Sequence, residues 1–99
     1  MENASNRSIY ILLQHLSLHM VTLDGFILDN NQKPVENSTI TIPALSLFAL
    51  SGEDGYFVIT DVFPGIYTIF ALQRFYDKFE VDINMSEDMT ITINLDKKL

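Results

Sequence analysis

The sequence predicts an all-β fold, a seven-stranded antiparallel β-sandwich, and three observations predict it. From Val21 onward apolar and polar residues alternate with period two, the spacing that turns one face of a strand to a core. Clusters of Asp, Asn, Gly, Pro and Ser interrupt that alternation roughly every 8–12 residues, the rhythm of short strands and turns. Finally, 99 residues that are 47% hydrophobic and contain no Cys make one domain able to bury a core without disulfides or thiolate metal sites.

The elements follow in order. The first strand covers Val21 to Asp29 and ends in the turn formers Asp29-Asn-Asn-Gln-Lys-Pro34. The second, Ser38 to Ile42, turns Ile40 and Ile42 inward, and Pro43 stops it because proline cannot donate to a central ladder. Leu45 to Leu50 is the third, followed by the turn Ser51-Gly-Glu-Asp-Gly55. Tyr56 to Thr60 and Ile66 to Leu72 are the fourth and fifth, joined through Asp61-Val-Phe-Pro-Gly65. The inward face moves from Phe57 and Ile59 to Val62, which requires a bulge near Asp61. Lys78 to Asn84 is the sixth, with Phe79, Val81 and Ile83 inward, and Thr90 to Asp96 the seventh, with Ile91, Ile93 and Leu95 inward.

Three strands carry apolar residues on both faces. Phe26 and Leu28 oppose Leu23 and Ile27 in the first; Phe48 and Leu50 oppose Leu45, Leu47 and Ala49 in the third; Ile66, Phe70 and Leu72 oppose Tyr67, Ile69 and Ala71 in the fifth. A solvated sheet face does not ordinarily carry so much apolar surface, so something is expected to cover it. Phe26, Leu28, Ile66, Phe70 and Leu72 are therefore the candidate interface residues, for a protein partner, a second copy of the chain, or the chain's own N-terminal segment.

Residues 1–20 form that N-terminal segment and 21–99 the sandwich. Ile9 to Met20 is apolar but too short to span a bilayer, and Gln14, His15 and His19 interrupt it. It makes a poor signal peptide, since Glu2 offsets Arg7 and no small-x-small cleavage site follows. It reads as a short amphipathic helix, with Ile9, Leu12, Leu13, Leu16 and Met20 on one face, or as an extra strand.

Thirteen acidic against six basic residues give a net charge of −7, which opposes nucleic-acid binding. The cations Arg7, Lys33, Arg74, Lys78, Lys97 and Lys98 show no dense patch in sequence apart from the last pair.

Two ordered blocks resemble the carboxypeptidase regulatory-like domains. The first is Leu23-Asp-Gly25-Phe-Ile27-Leu-Asp29 followed by Pro34-Val35, Ser38, Ile40 and Ile42; the second is Asp54-Gly55-Tyr-Phe57-Val-Ile59 followed by Val62-Phe-Pro64-Gly65-Ile-Tyr67-Thr-Ile69. The chain departs from that pattern at Gln32, where the family has a turn Gly, and at Phe75-Tyr76, where many members read Gly-Tyr. The resemblance implies a prealbumin-like (transthyretin-like) sandwich, an extracytoplasmic location and an accessory role without catalysis. The Phe-Pro-Gly-Ile-Tyr corner is also similar to the sandwich module that accompanies rhamnogalacturonan lyases, which implies a glycan-binding alternative. Tyr56, Phe63, Phe75 and Tyr76 are the candidate glycan platform.

No catalytic residues, cofactor or metal site are expected. His15 and His19 share a helical face, but Leu16 stands where a metalloprotease motif needs Glu. The transthyretin-like hydrolase of the purine pathway ends in Tyr-Arg-Gly-Ser, whereas this chain ends Asp96-Lys-Lys-Leu99. The inward positions of the first and last strands supply no lysine for an isopeptide crosslink. Asp29-Asn-Asn31 and Glu53-Asp54 offer oxygen ligands of the type calcium takes, but ordinary Asx turns are the preferred account of them.

Overall fold

The computed structural model describes residues 19–99. The described residues form seven strands: β1 Val21–Leu28, β2 Thr39–Ile42, β3 Leu47–Leu50, β4 Tyr56–Val62, β5 Gly65–Leu72, β6 Phe79–Met85 and β7 Met89–Asn94, with one 3-10 turn at Pro43–Leu45. They make two sheets, one of three strands in the order β4-β1-β7 and one of four in the order β3-β2-β5-β6. This is the seven-stranded all-β sandwich the alternation predicts. One ladder departs from the antiparallel expectation, because β1 and β7 pair in parallel, from Leu23 opposite Met89 to Leu28 opposite Asn94. The expected N-terminal helix or extra strand lies outside the described residues.

The core sits between the sheets and is built from the inward parity of each strand. Leu23, Ile27, Ile40, Ile42, Phe57, Val62, Ile69, Met85, Ile93 and Leu95 are all essentially sealed from solvent. β6 departs from its predicted pattern at Val81, which is exposed. β6 is the outer strand of the wider sheet, so the three-stranded sheet opposite does not reach far enough to cover that position. β3 starts later than the alternation suggests. Pro43, with its fixed φ, opens the 3-10 turn, and Ser46 leaves it in the left-handed region at φ 54° before β3 begins.

The two sequence blocks are structural joints. Gly55 takes φ 81° in the turn before β4, and the Asp54 carboxylate accepts from the backbone N–H of Tyr56 at 3.0 Å. The backbone N–H of Ile27 donates to the Gly55 carbonyl at 2.8 Å, and that of Val35 donates to the Ile27 carbonyl at 2.9 Å, so the two blocks lock onto each other. The expected bulge is present. The β1–β4 register slips between Val21 and Leu23, and Asp61 takes φ 59°. At the β4–β5 corner the Tyr67 hydroxyl donates to the Phe63 carbonyl at 2.7 Å. A Cβ at position 65 would lie 2.9 Å from that hydroxyl, so a larger residue there would press on the Tyr67 ring and its bond.

Two buried serines tie the loops to the sheet. Ser51 Oγ donates to the Val35 carbonyl at 2.6 Å and accepts from the Ser38 backbone N–H at 2.9 Å, while Ser38 Oγ donates to the Leu72 carbonyl at 3.2 Å. Each hydroxyl has a backbone partner, so neither leaves an unpaired buried polar atom.

The strand directions fix what meets at each end. β1, β3, β5 and β7 finish at one end, here the upper end, which gathers the loops 29–38, 51–55 and 73–78 and the segment 95–99. The lower end holds residues 43–46, 63–64 and 86–88 and the entry to β1.

Candidate functional site

The outer face of the four-stranded sheet collects the apolar residues that the alternation left over. β2 lies in the middle of three strands here, with Thr39 opposite Leu50 on one side and Leu72 on the other, and Thr41 between Phe48 and Phe70 in the same way. The result is two parallel rows, Leu50–Thr39–Leu72 and Phe48–Thr41–Phe70. Phe48 is 69% exposed, Leu50 56% and Leu72 41%, and Ile66, further along β5, is 74% exposed. The flank on β6 is polar. Glu80 stands opposite Phe70 and Asp82 opposite Thr68, whose hydroxyl donates to Asp82 at 2.6 Å. The Lys78 ammonium sits 4.7 Å from the Phe70 ring centroid.

The five predicted interface residues do not form one surface. Ile66, Phe70 and Leu72 belong to this face, but Phe26 and Leu28 lie on the outer side of the other sheet, across the core. Phe48 and Leu50 take their place. Both were legible as outward apolar positions of the third strand.

The outer face of the three-stranded sheet is organised around Asp24. Its carboxylate accepts from the Tyr56 hydroxyl at 2.7 Å and from the Thr90 hydroxyl at 2.6 Å, bridging β1 to both neighbours. Phe26 and Tyr56 meet with ring centroids 5.4 Å apart, tilted by 58°. The hydrogen bond from Thr90, then that from Tyr56, holds the Asp24 carboxyl below its ordinary value of 3.8. The same bond to Asp24 raises the Tyr56 phenol above 10.0. A depressed carboxyl pKa contributes stability that is present above the unfolded value and lost as pH falls through the folded one. Asp24→Asn is therefore expected to flatten the acid limb of a melting-temperature profile recorded between neutral pH and pH below 3.8. Identical slopes for wild type and variant would remove Asp24 from that account.

The upper end carries a groove of about 720 Å³, walled by residues 34–37, 73–76 and Lys97 and Lys98. A smaller hollow of about 380 Å³ adjoins it, sharing Asn37, Gln73, Arg74, Tyr76 and Lys98 and adding Lys78. Along this wall the C-terminal segment pairs with the β5–β6 loop. Tyr76 bridges to Lys97, the backbone N–H of Lys98 donates to the Phe75 carbonyl at 3.0 Å, and that of Asp77 donates to the Asp96 carbonyl at 2.7 Å. The Arg74 guanidinium lies 5.0 Å from the Phe75 ring centroid.

This groove corrects two sequence expectations. The cations that look dispersed converge, since four of the chain's six Lys and Arg residues line the two hollows. Antiparallel β5 and β6 return Arg74 and Lys78 to the same end at which parallel β7 delivers Lys97 and Lys98, a juxtaposition that depends on topology and not on sequence distance. The glycan platform is likewise divided. Phe75 and Tyr76 stand at the groove, whereas Phe63 precedes the eight-residue β5 that Phe75 follows, so the two are a strand length apart, about 26 Å. Tyr56 is on the outer face with Asp24.

The acidic loops serve their own turns. The Asp29 carboxylate accepts from the backbone N–H groups of Asn31 at 2.8 Å and Lys33 at 3.0 Å. The bond from Lys33 is the largest cause holding its pKa below 3.8. Among the described residues no group of three His, Asp or Glu side chains is placed to hold a metal. His15 lies outside the described residues.

No protein-family profile and no curated protein matches the sequence. Solved structures match the fold. A chain of the type II cohesin-X-dockerin complex from Acetivibrio cellulolyticus is similar with TM-score 0.69 and 22% identity, covering 76% of this chain and 56% of that one. A candidate carbohydrate-binding protein from Bacteroides uniformis gives TM-score 0.59 and 16% identity over 76% of this chain and 40% of that one. A minor pilin from Streptococcus agalactiae gives TM-score 0.60 and 16% identity over 82% and 46%. This chain thus spans about half the length of the chains it resembles. Such likenesses establish a sandwich consistent with the immunoglobulin-like and prealbumin-like architectures.

Proposed function

We propose that this domain is a non-catalytic accessory module that works by binding a protein through the outer face of its four-stranded sheet. The observation that carries the reading is the double row of Phe48, Leu50, Phe70 and Leu72 around Thr39 and Thr41, two members of which are more than half exposed. Exposed apolar rows with a charged flank are the usual composition of a docking surface. The cohesin-X-dockerin neighbour comes from a protein–protein assembly, which supports the same class. The ordered motif blocks and their interlocked turns support the finer assignment to the carboxypeptidase regulatory-like type.

Photo-crosslinking from single positions tests it. A crosslinker at Phe48, Leu50 or Leu72 is expected to trap one and the same protein, or a second copy of the chain, while a crosslinker at Val58, on the opposite outer face, is not. Phe70→Asp should reduce the yield on the order of tenfold, the cost of a charge in an apolar contact. Equal trapping from all positions, or none, would end the reading.

A second reading, glycan binding, is favoured by the upper groove, where the ring of Tyr76 and the amides of Asn37 and Gln73 line one concavity. The neighbour from Bacteroides uniformis is described as a candidate carbohydrate-binding protein, which supports that reading.

A further inference from the structure

We infer that the upper groove takes an acidic oligosaccharide, one that carries carboxylates as uronic acids do. This rests on the glycan reading of the groove and deepens it. Charge is the first argument. On a chain of net charge −7, Arg74, Lys78, Lys97 and Lys98 line the two joined hollows against the single acid Glu36. Among the described residues none of these four cations is held in an ion pair with a carboxylate. Arg74 rests on Phe75 and Lys78 on Phe70, contacts that position the cationic heads without neutralising them. The other acids of this end stay outside the lining: Asp29, whose carboxyl feels the charge of Lys97, and Asp77 and Asp96, which flank Lys78 and Lys97 in sequence.

The remaining groups select among anions. The backbone of the 75–77 wall is already paired with 96–98, so that wall offers no open strand edge to an extended peptide. What remains is side-chain chemistry: amides for hydroxyls, cations for carboxylates, and the Tyr76 ring as an apolar surface for a sugar face. Four cations spread over an open groove suit a chain with one charge per unit.

Calorimetric titration of the full chain tests this with tetramers of galacturonate, mannuronate and glucuronate-containing fragments, each beside its carboxyl-reduced counterpart, and with tetraglutamate. At least one uronate tetramer is expected to bind, with its reduced counterpart on the order of tenfold weaker or more. The exposed variants Arg74→Gln and Lys98→Gln should each lower the affinity by a similar factor with unchanged melting temperature, and added salt should weaken binding. Equal binding of acid and reduced tetramers would overturn the charge selectivity and leave the glycan reading standing. No binding of any sugar would overturn both. Tetraglutamate binding as tightly as the best uronate would overturn the inference in favour of a peptide or general carboxylate site.

Discussion

Gly25→Ala is expected to unfold this domain or bring it close to unfolding, with a loss of about 3 kcal/mol or more. Gly25 lies in the middle of β1, the central strand of its sheet, directly opposite Ile91 of β7. A Cβ built there would stand 1.9 Å from the Ile91 carbonyl oxygen and 2.9 Å from its carbonyl carbon. The obstacle is backbone on a paired strand, so no rotamer change relieves it, and β7 must move away from β1. Overpacking a flexible core costs roughly 1–3 kcal/mol, and this site lacks the flexibility. For a domain of this size the melting temperature should fall by roughly 12 °C or more. Gly52→Ala is the control. Its nearest neighbour would be the Asp54 carboxylate oxygen at 3.2 Å, the one that accepts from the Tyr56 backbone N–H; that side chain has to give by only a few tenths of an ångström, so the expected change is within about 1 kcal/mol. Thermal melts of both variants check the pair, and a Gly25→Ala protein as stable as Gly52→Ala would refute the packing argument.

Phe57→Ala is expected to cost about 3–5 kcal/mol, the range for emptying an aromatic site in a closed core. Phe57 is 1% exposed and among the largest fully buried side chains. It sits on β4 opposite Gly25, so it fills the core where β1 contributes no side chain. Chemical denaturation should show a lower midpoint with little change in slope, because the surface exposed on unfolding is nearly the same. Phe57→Leu should recover more than half of the loss. Equal losses for Leu and Ala would mean that ring shape, and not filled volume, sets the stability.

These two positions also show why the fold was so legible. Gly25 and Phe57 belong to the two motif blocks, and the blocks are recognisable because they meet. Gly55 joins Ile27, Val35 joins Ile27, and Ser51 joins Val35. Even Gln32, where the carboxypeptidase regulatory-like pattern that the sequence resembles has glycine, takes φ 63°, the left-handed conformation glycine would adopt at less cost. Alternation identified the inward positions strand by strand, and Val81 fails only because its strand lies at the margin of the wider sheet. The candidate surfaces were harder. Parity says whether a residue points in or out; it does not say in which sheet. Phe26 and Phe70 were both correctly outward, yet they point away from each other. The groove was hidden for a related reason, since Arg74 and Lys98 become neighbours only once the direction of every strand between them is known.

The parallel pairing of β1 with β7 has a mechanical meaning. The chain enters β1 at the lower end and leaves β7 at the upper end, so a pull along the strands draws these two partners past each other. Their ladder, six residue pairs from Leu23–Met89 to Leu28–Asn94, lies along the line of force. Its evenly spaced hydrogen bonds then carry load together in shear, where an antiparallel hairpin pulled from its open end would give way one bond at a time. The close approach of Gly25 to Ile91 keeps that ladder tight at its centre, so drawing β1 and β7 apart along the strands requires the whole ladder to yield at once.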